Sequence, residues 1–205
     1  MKKEIDLIVD FVEGNLNIMN LKQELDSNKK IQKLLRQKIK VEYLKHYNFN
    51  HYDYIYGNLK FLNGKWDNPF ARYSVWWSLN EWLKYNKIQC CATQKYLEDS
   101  RLLSAMQPSW LEVVDDQGIF DQLLANLPRD LSRSKQIAWG KSKLKELFKF
   151  DKTYPRWIQC AEWPIKNGKP LVFSHQQKLS KMDERVLYYF YDPETKEKEI
   201  IEQMY

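Results

Sequence analysis

The sequence predicts an α+β fold: a predominantly helical N-terminal three-quarters, residues 1–152, followed by a small C-terminal antiparallel sheet, residues 153–205. Two observations carry this prediction. Apolar residues recur at intervals of three and four through most of residues 1–152, which is the period of amphipathic helices. After Pro155 the period becomes two, and Asn167-Gly168 is a strong signal for a hairpin turn. We expect the 205 residues to form a single domain.

The helices are predicted from apolar spacing together with start and stop residues. The first helix ends at Gly14, and the second has Asn20 as a possible cap. Asn68-Pro69 is a favourable helix start, since Asn caps well and proline suits the first helical position. Thr93 is the expected cap of a later helix. The helices after the second are placed over residues 31–43, 69–86, 93–106, 117–126 and 133–149.

Residues 46–68 have a different character. Tyrosine, phenylalanine and asparagine alternate there, with Gly57 and Gly64 at expected turns. This pattern indicates a short strand or an irregular aromatic loop, because aromatic residues favour strands and glycines favour turns.

The C-terminal part is predicted as two hairpins in succession. Residues 163–166 and 169–175 flank the Asn-Gly turn, and residues 185–191 and 199–203 flank a turn at 192–194. Trp157 and Trp163 are interpreted as an aromatic cover where the sheet meets the helices, with direct ligand contact as the alternative.

The composition excludes global disorder, since hydrophobic residues make up 43% of the chain and include nine Phe, thirteen Tyr and eight Trp. No apolar run approaches the roughly 20 residues that span a bilayer. Acidic residues interrupt the N-terminal apolar stretch, so we expect no export signal and a cytoplasmic protein. Cys90, Cys91 and Cys160 form no disulfide or zinc pattern and are expected to be reduced, mostly buried thiols.

The net charge is +6, and the basic residues concentrate in residues 29–40 and 129–149. Such segments suit phosphate groups or an acidic protein surface. The alternative is that these lysines and arginines cover the solvent face of helices.

No residue constellation indicates catalysis, a metal or a cofactor. His46 and His51 lie five apart beside Asp53, whereas helical metal ligands lie three or four apart, so loop histidines are expected. A nucleophilic pair of Cys160 and His175 is conceivable, against the plainer interpretation of a buried thiol on a strand.

Several short motifs carry a resemblance. They are Pro155-Arg-Trp-Ile-Gln159, Glu162-Trp-Pro164, Asn167-Gly-Lys-Pro-Leu171 with Phe173, Asp10-Phe-Val-Glu-Gly14 and Met106-Gln-Pro-Ser-Trp110. Together they resemble a group of uncharacterised bacterial proteins that are suspected immunity proteins for toxins of bacterial competition. The resemblance implies a small cytoplasmic protein without catalytic residues.

We therefore predict a non-enzymatic binding protein, an immunity protein that binds a cognate toxin domain. An acidic surface on that toxin would suit the positive charge of the chain. The alternative is a nucleic-acid-binding accessory protein that uses the basic helices, and a third interpretation is a hydrolase that uses Cys160 or His175. Tyrosine, tryptophan and arginine are the residues that anchor protein interfaces. The predicted binding residues are accordingly Tyr43, Tyr47, Tyr52, Tyr54, Tyr56, Arg156 and Trp157.

Overall fold

The computed structural model describes residues 2–37, 50–61, 64–111, 117–179 and 185–204, and it confirms the α+β class. The chain divides into two compact units, Met1–Ser100 and Arg101–Tyr205. The described helices are α1 (Lys2–Glu13), α2 (Ile18–Ser27), α3 (Lys29–Leu35), α4 (His51–Phe61), α5 (Pro69–Tyr85), α6 (Lys95–Met106), α7 (Ile119–Ala125) and α8 (Arg133–Leu147). The strands are β1 (Ile165–Lys166), β2 (Lys169–Pro170), β3 (Val172–Lys178), β4 (Arg185–Tyr191) and β5 (Lys198–Met204).

The first three helices begin and end at residues suited to these positions. Gly14 follows α1 with a φ of +88°, a conformation that glycine adopts without steric cost. The predicted cap of α2 is wrong. The backbone N–H of Asn20 donates to Oδ1 of Asn17 at 2.8 Å, so Asn17 is the cap and Asn20 lies within the helix. Asn28 ends α2 and caps α3.

Helix α5 is the buried helix of the first unit, as its many bulky residues predict. Its start is confirmed, because Asn68 Oδ1 accepts from the backbone N–H of Phe70 at 2.8 Å and Pro69 lies in the first turn. Trp76 is buried and its indole N–H donates to the carbonyl oxygen of Val12 at 3.0 Å, which joins α5 to α1.

The prediction of a strand or loop for residues 46–68 is wrong over α4, where residues 51–61 are helical. His51, Ile55 and Leu59 recur every four residues and all three are buried. Burial of this helical face outweighs the weak strand preference of the tyrosines, which depends on context. Residues 46–49 and 62–63 lie outside the described part of the chain.

The Asn-Gly turn is confirmed, with φ of 52° at Asn167 and 72° at Gly168, and it joins β1 to β2. The hairpin around it is shorter than predicted. Residues 169–175 form two strands that separate at Leu171. The Leu171 N–H still donates to the carbonyl oxygen of Pro164 at 3.0 Å, but Pro164 has no N–H with which to return the bond and extend the ladder.

The main sheet is therefore three-stranded, with antiparallel order β3-β4-β5, and the β1-β2 ribbon is separate from it. Both predicted hairpins are present, but the first lies in the β1-β2 ribbon and only the second lies in the main sheet, where β3 pairs with it. The predicted polar linker at 176–184 begins inside β3, and residues 180–184 lie outside the described residues.

One face of this sheet forms the core of the second unit. Phe173, Tyr188 and Phe190 are buried on it, and the ring centroid of Trp163 lies 5.5 Å from that of Phe190. The change from helical to strand period therefore falls inside the second compact unit. The single-domain organisation of the chain stays a prediction.

Among the helices that the structure describes, none combines the length and the apolar character needed to cross a membrane.

Candidate functional site

Helix α4 carries three of the predicted binding tyrosines, and the other two, Tyr43 and Tyr47, lie outside the described residues. Tyr52, Tyr54 and Tyr56 are all half-buried. Residues four apart share one side of a helix, whereas residues two apart do not. The predicted set of tyrosines is therefore divided between two sides of α4.

Aromatic stacking and a cation–π contact fix the side of α4 that carries Tyr52 and Tyr56. Their ring centroids are 4.5 Å apart. The guanidinium of Arg36 lies 4.3 Å from the centroid of Tyr52, which is cation–π geometry. The ring of Trp66 meets that of Tyr56 edge-on at 5.4 Å.

The hydroxyl of Tyr56 belongs to a polar network with α2. It donates to Oδ1 of Asp26 at 2.5 Å, and the ammonium of Lys22 donates to the other carboxylate oxygen at 2.5 Å. Burial, and then the hydrogen bond to Asp26, raises the pKa of Tyr56 well above its ordinary value. Burial alone would raise the pKa of Asp26, but the hydrogen bonds from Lys22 and Tyr56 hold it below its ordinary value. These contacts anchor the tyrosines within the first unit.

The other side of α4 is also occupied, because the ring centroid of Tyr54 lies 5.4 Å from that of Trp77. The tyrosines of α4 thus cover the core of their own unit.

Arg156 and Trp157 lie in an irregular segment that is bonded to the sheet. The hydroxyl of Tyr188 accepts from the backbone N–H of Ile158 at 3.0 Å and donates to the carbonyl oxygen of Arg156 at 2.9 Å. Trp157 is half-buried, its ring centroid is 4.4 Å from that of Tyr188, and its indole N–H donates to the carbonyl oxygen of Trp110 at 3.0 Å. Trp157 is therefore placed as a structural residue, whereas the Arg156 side chain is exposed.

A second buried polar side chain, Gln203, fixes the end of the same segment. Its amide oxygen accepts from the backbone N–H of Gln159 at 3.1 Å, and its amide N–H donates to the carbonyl oxygen of Cys160 at 2.6 Å. Tyr188 and Gln203 thus satisfy backbone groups that have no strand or helix partner.

The histidines are not placed as expected. His51 is a buried helical residue rather than a loop residue, and its Nδ1 is 2.8 Å from the hydroxyl of Ser78. Burial lowers the pKa of His51 to about 4, so the imidazole is neutral at pH 7. His46 lies outside the described residues, and within those residues no three His, Cys, Asp or Glu side chains converge as metal ligands.

The cysteines are free, but the expectation of mostly buried thiols is wrong. Cys90 is half-buried, whereas Cys91 and Cys160 are exposed. Burial is the main reason that the pKa of Cys90 is raised. The Cys160 carbonyl oxygen bonds to the buried Gln203, while His175 stacks on Tyr189 on the opposite face of the sheet, with centroids 4.4 Å apart.

The outer face of the β3-β4-β5 sheet, called the outer face below, is the surface that the sequence interpretation missed. Its central row is His175, Tyr189 and Ile200, taken from the registered neighbours on the three strands. The row beside it is Gln177, Leu187 and Glu202. The end row is Leu179, Arg185 and Met204.

Large apolar side chains on this face are open to solvent. Ile200 and Met204 are 52% and 54% exposed, and Leu179 is 41% exposed. Leu187 and Tyr189 are half-exposed between them. A sheet face that meets only water carries polar residues, so a contiguous group of apolar side chains indicates a binding surface.

The charges of the outer face have both signs. Arg185 and Glu202 lie 3.5 Å apart as an exposed ion pair, and Lys198 is exposed on β5.

The feature of the sequence that points to the outer face is the apolar pattern of β4, in which inner and outer positions are both apolar. That pattern predicts a strand but does not say that one of its faces stays uncovered.

Helix α8 presents the basic surface that the alternative function needs. Lys141 and Lys145 are exposed one turn apart, and the exposed Lys149 follows the helix. Lys143 instead pairs with Glu146 at 2.7 Å. Within the parts of the chain that the structure describes, Lys141, Lys145 and Lys149 have no ion pair.

Comparison of the chain with protein-family models, with curated proteins and with solved structures finds no match in any of the three.

Proposed function

We propose that the chain is a non-enzymatic protein-binding protein and that the outer face of its C-terminal sheet is the binding surface. The exposed row of His175, Tyr189 and Ile200 carries this proposal. Tyrosine and aliphatic anchors surrounded by charged residues have the composition of interface centres and rims.

The resemblance of the Pro155–Phe173 motifs to suspected immunity proteins supports a toxin domain as the partner. Such a protein would block the toxin by covering its active surface. The mixed charges of the outer face fit a partner of mixed charge, so the proposal does not require an acidic toxin.

The test is co-expression and co-purification with the protein encoded by the adjacent gene, combined with Tyr189→Ser. We expect wild type to rescue growth and to co-purify, and Tyr189→Ser to weaken binding about 30-fold, since anchors at interface centres contribute about 2 kcal/mol. The matched control is Tyr85→Ser, because Tyr85 is an exposed tyrosine of the first unit. Equal binding by both variants would place the binding surface elsewhere, and no rescue by wild type would remove the immunity role.

The non-enzymatic part of the proposal has its own test. The variant Cys160→Ala removes the candidate nucleophile of a hydrolase and leaves the central row of the outer face unchanged. We expect it to rescue growth wherever the fold is retained, and loss of rescue with retained partner binding would favour catalysis.

The second candidate function, nucleic-acid binding, is favoured by the free lysines at positions 141, 145 and 149. Binding of a fluorescent DNA or RNA oligonucleotide should then weaken steeply with salt, because each neutralised phosphate releases counterions. Replacing the three lysines by alanine should reduce the slope of log affinity against log salt by about 3. Absence of binding at about 50 mM salt would exclude this candidate.

A further inference from the structure

We propose that a second copy of this chain adds to the free edge of β5, so that two three-stranded sheets join into one antiparallel six-stranded sheet. The inference goes beyond the proposed function and does not depend on it, because it concerns the edge of the sheet and not the partner on its outer face.

The hydrogen-bonding direction of β5 follows from its turn. The backbone N–H of Asp192 donates to the carbonyl oxygen of Glu197 at 2.9 Å, so residues 192 and 197 are a hydrogen-bonded pair. Such pairs alternate along an antiparallel ladder. The backbone groups of residues 199, 201 and 203 therefore point to β4, whereas those of 198, 200 and 202 point to the free edge.

An independent contact agrees with this direction. The side-chain amide of Gln159 donates from outside the sheet to the carbonyl oxygen of Met204, the next residue in the outward series. Among the described residues no other backbone segment bonds to Lys198, Ile200 or Glu202. The open part of the edge is thus three outward residues long, and Gln159 closes its C-terminal end.

The side chains of this open part are self-complementary. When two copies meet antiparallel around a two-fold axis at Ile200, each Lys198 faces Glu202 of the other copy and the two Ile200 side chains face each other. Glu202 also lies 3.5 Å from Arg185 of its own chain, so it would be shared between two cations. The three outward residues of each copy then form about six backbone hydrogen bonds, and the opposed charges attract. A register centred one residue away would place an isoleucine opposite a charge.

This arrangement differs from the usual protection of an edge strand, in which charges repel a second strand. Lys198 and Glu202 lie at equal distances on either side of Ile200, and they have opposite signs. The same two charges that would block an unrelated apolar strand therefore select a second copy of β5. The exposure of Ile200, 52%, leaves it accessible to that copy.

Pairing would also extend the outer face. Ile200 is the β5 member of the central row, with Tyr189 and His175 beside it on β4 and β3. The two-fold axis at Ile200 would continue this row across both copies.

The first experiment measures the molar mass of the full chain in solution over a range of concentrations, by light scattering or sedimentation. We expect a dimer for wild type and a monomer for Ile200→Lys. The control is Met19→Lys on α2, where the methionine has the same 52% exposure. A wild-type monomer at every concentration, or a dimer that survives Ile200→Lys, would overturn the proposal.

The second experiment tests the register. Lys198→Glu should weaken the dimer about tenfold, because symmetry places two like-charged pairs in the interface. Adding both Glu202→Lys and Arg185→Glu should restore it, because Arg185 pairs with Glu202 within each copy and its charge must be reversed as well. In a background with Cys90, Cys91 and Cys160 changed to serine, Ile200→Cys should form a disulfide-linked dimer on oxidation. Its Cα separation would be about 5.5 Å, within the range of disulfides. Cross-linking through Ile201→Cys instead would contradict this register.

Discussion

The tyrosines of α4 and the outward residues of β4 have the same spacing in the sequence. In the structure the tyrosines are divided between two sides of a helix, whereas the β4 residues share one exposed face of a sheet. Tyr52, Tyr54 and Tyr56 are each two residues apart, and so are Leu187 and Tyr189. On a strand this spacing places every residue on one face, whereas on a helix it alternates between sides. The sequence interpretation expected a single exposed surface from the tyrosines, but β4 is the element that provides one.

The hydroxyl groups make the same distinction. Tyr56 donates to Asp26 at 2.5 Å across two helices, while the hydroxyl of Tyr189 has Gln177 on the adjacent strand at 3.3 Å. A side chain tied to its own unit contributes to stability, and one that is only loosely bonded remains available to a partner.

The largest effect is expected on the inner side of the sheet. Trp163 is buried and its indole N–H donates to the carbonyl oxygen of Leu171 at 2.8 Å. Trp163→Ala should lower the free energy of unfolding by roughly 3–5 kcal/mol, through a cavity and a lost hydrogen bond. Chemical denaturation measures this, with the exposed Leu179→Ala as the outer-face control, because Leu179 lies away from the β5 edge. Similar losses for both variants would break the distinction between the two faces.

The next effect concerns pH and the buried face of α4. Because the folded-state pKa of His51 is about 4 and its ordinary value is 6.5, protonation favours the unfolded chain. The contribution of neutral His51 is fully present above pH 6.5 and is lost as pH falls to about 4, by about 3 kcal/mol. Denaturation curves at several pH values measure it. The stability difference between wild type and His51→Gln should shrink as the pH falls through this window, and a constant difference would contradict the burial of His51.

The turn between β1 and β2 should show an intermediate effect. Gly168 has a φ of 72° and open space where a Cβ would lie, so the cost of a side chain there comes from the backbone alone. Gly168→Val should destabilise by roughly 1–3 kcal/mol, since β-branched residues resist positive φ. Thermal unfolding measures this. Because the ribbon is separate from the β3-β4-β5 sheet, the folded fraction should bind its partner as wild type does, and a larger loss of affinity would assign the ribbon to the interface.

A matched pair of hydroxyl deletions sharpens the comparison directly. Tyr56→Phe removes a hydrogen bond to a carboxylate and should cost about 1 kcal/mol, discounted for the exposure of Asp26. Tyr189→Phe removes only the 3.3 Å contact with Gln177 and should leave stability within about 0.5 kcal/mol of wild type. Denaturant midpoints distinguish the two, and the reverse order would show that Tyr189 is the anchored residue.

The smallest effect tests the helix that the sequence interpretation missed. Gly57 lies inside α4, and nothing lies within 4 Å of the position of an added Cβ. Gly57→Ala should therefore stabilise by about 0.5–1 kcal/mol, because alanine has the higher helix propensity and a less flexible unfolded state. A rise in the melting temperature measures this gain. A fall would mean that residue 57 occupies a turn, as its sequence context first indicated.

The sequence by itself determined those features that depend on neighbouring residues. Asn68-Pro69 begins α5, Gly14 ends α1, and Asn167-Gly168 forms the turn with positive φ, because capping and turn geometry are local properties of the backbone. The spans of α8 and β4 were also placed closely, since long periodic patterns identify their own elements.

Only the tertiary structure decided which faces are covered. Burial of Ile55 and Leu59 made α4 a helix, although its tyrosines alternate as in a strand. The missing N–H of Pro164 and the pairing of β3 with β4 divided one predicted strand between two sheets. The outer face of β4 stays open for a reason that no local pattern contains: whether an apolar side chain is buried depends on segments distant in the sequence, here the irregular segment bonded to Tyr188 on the inner face alone.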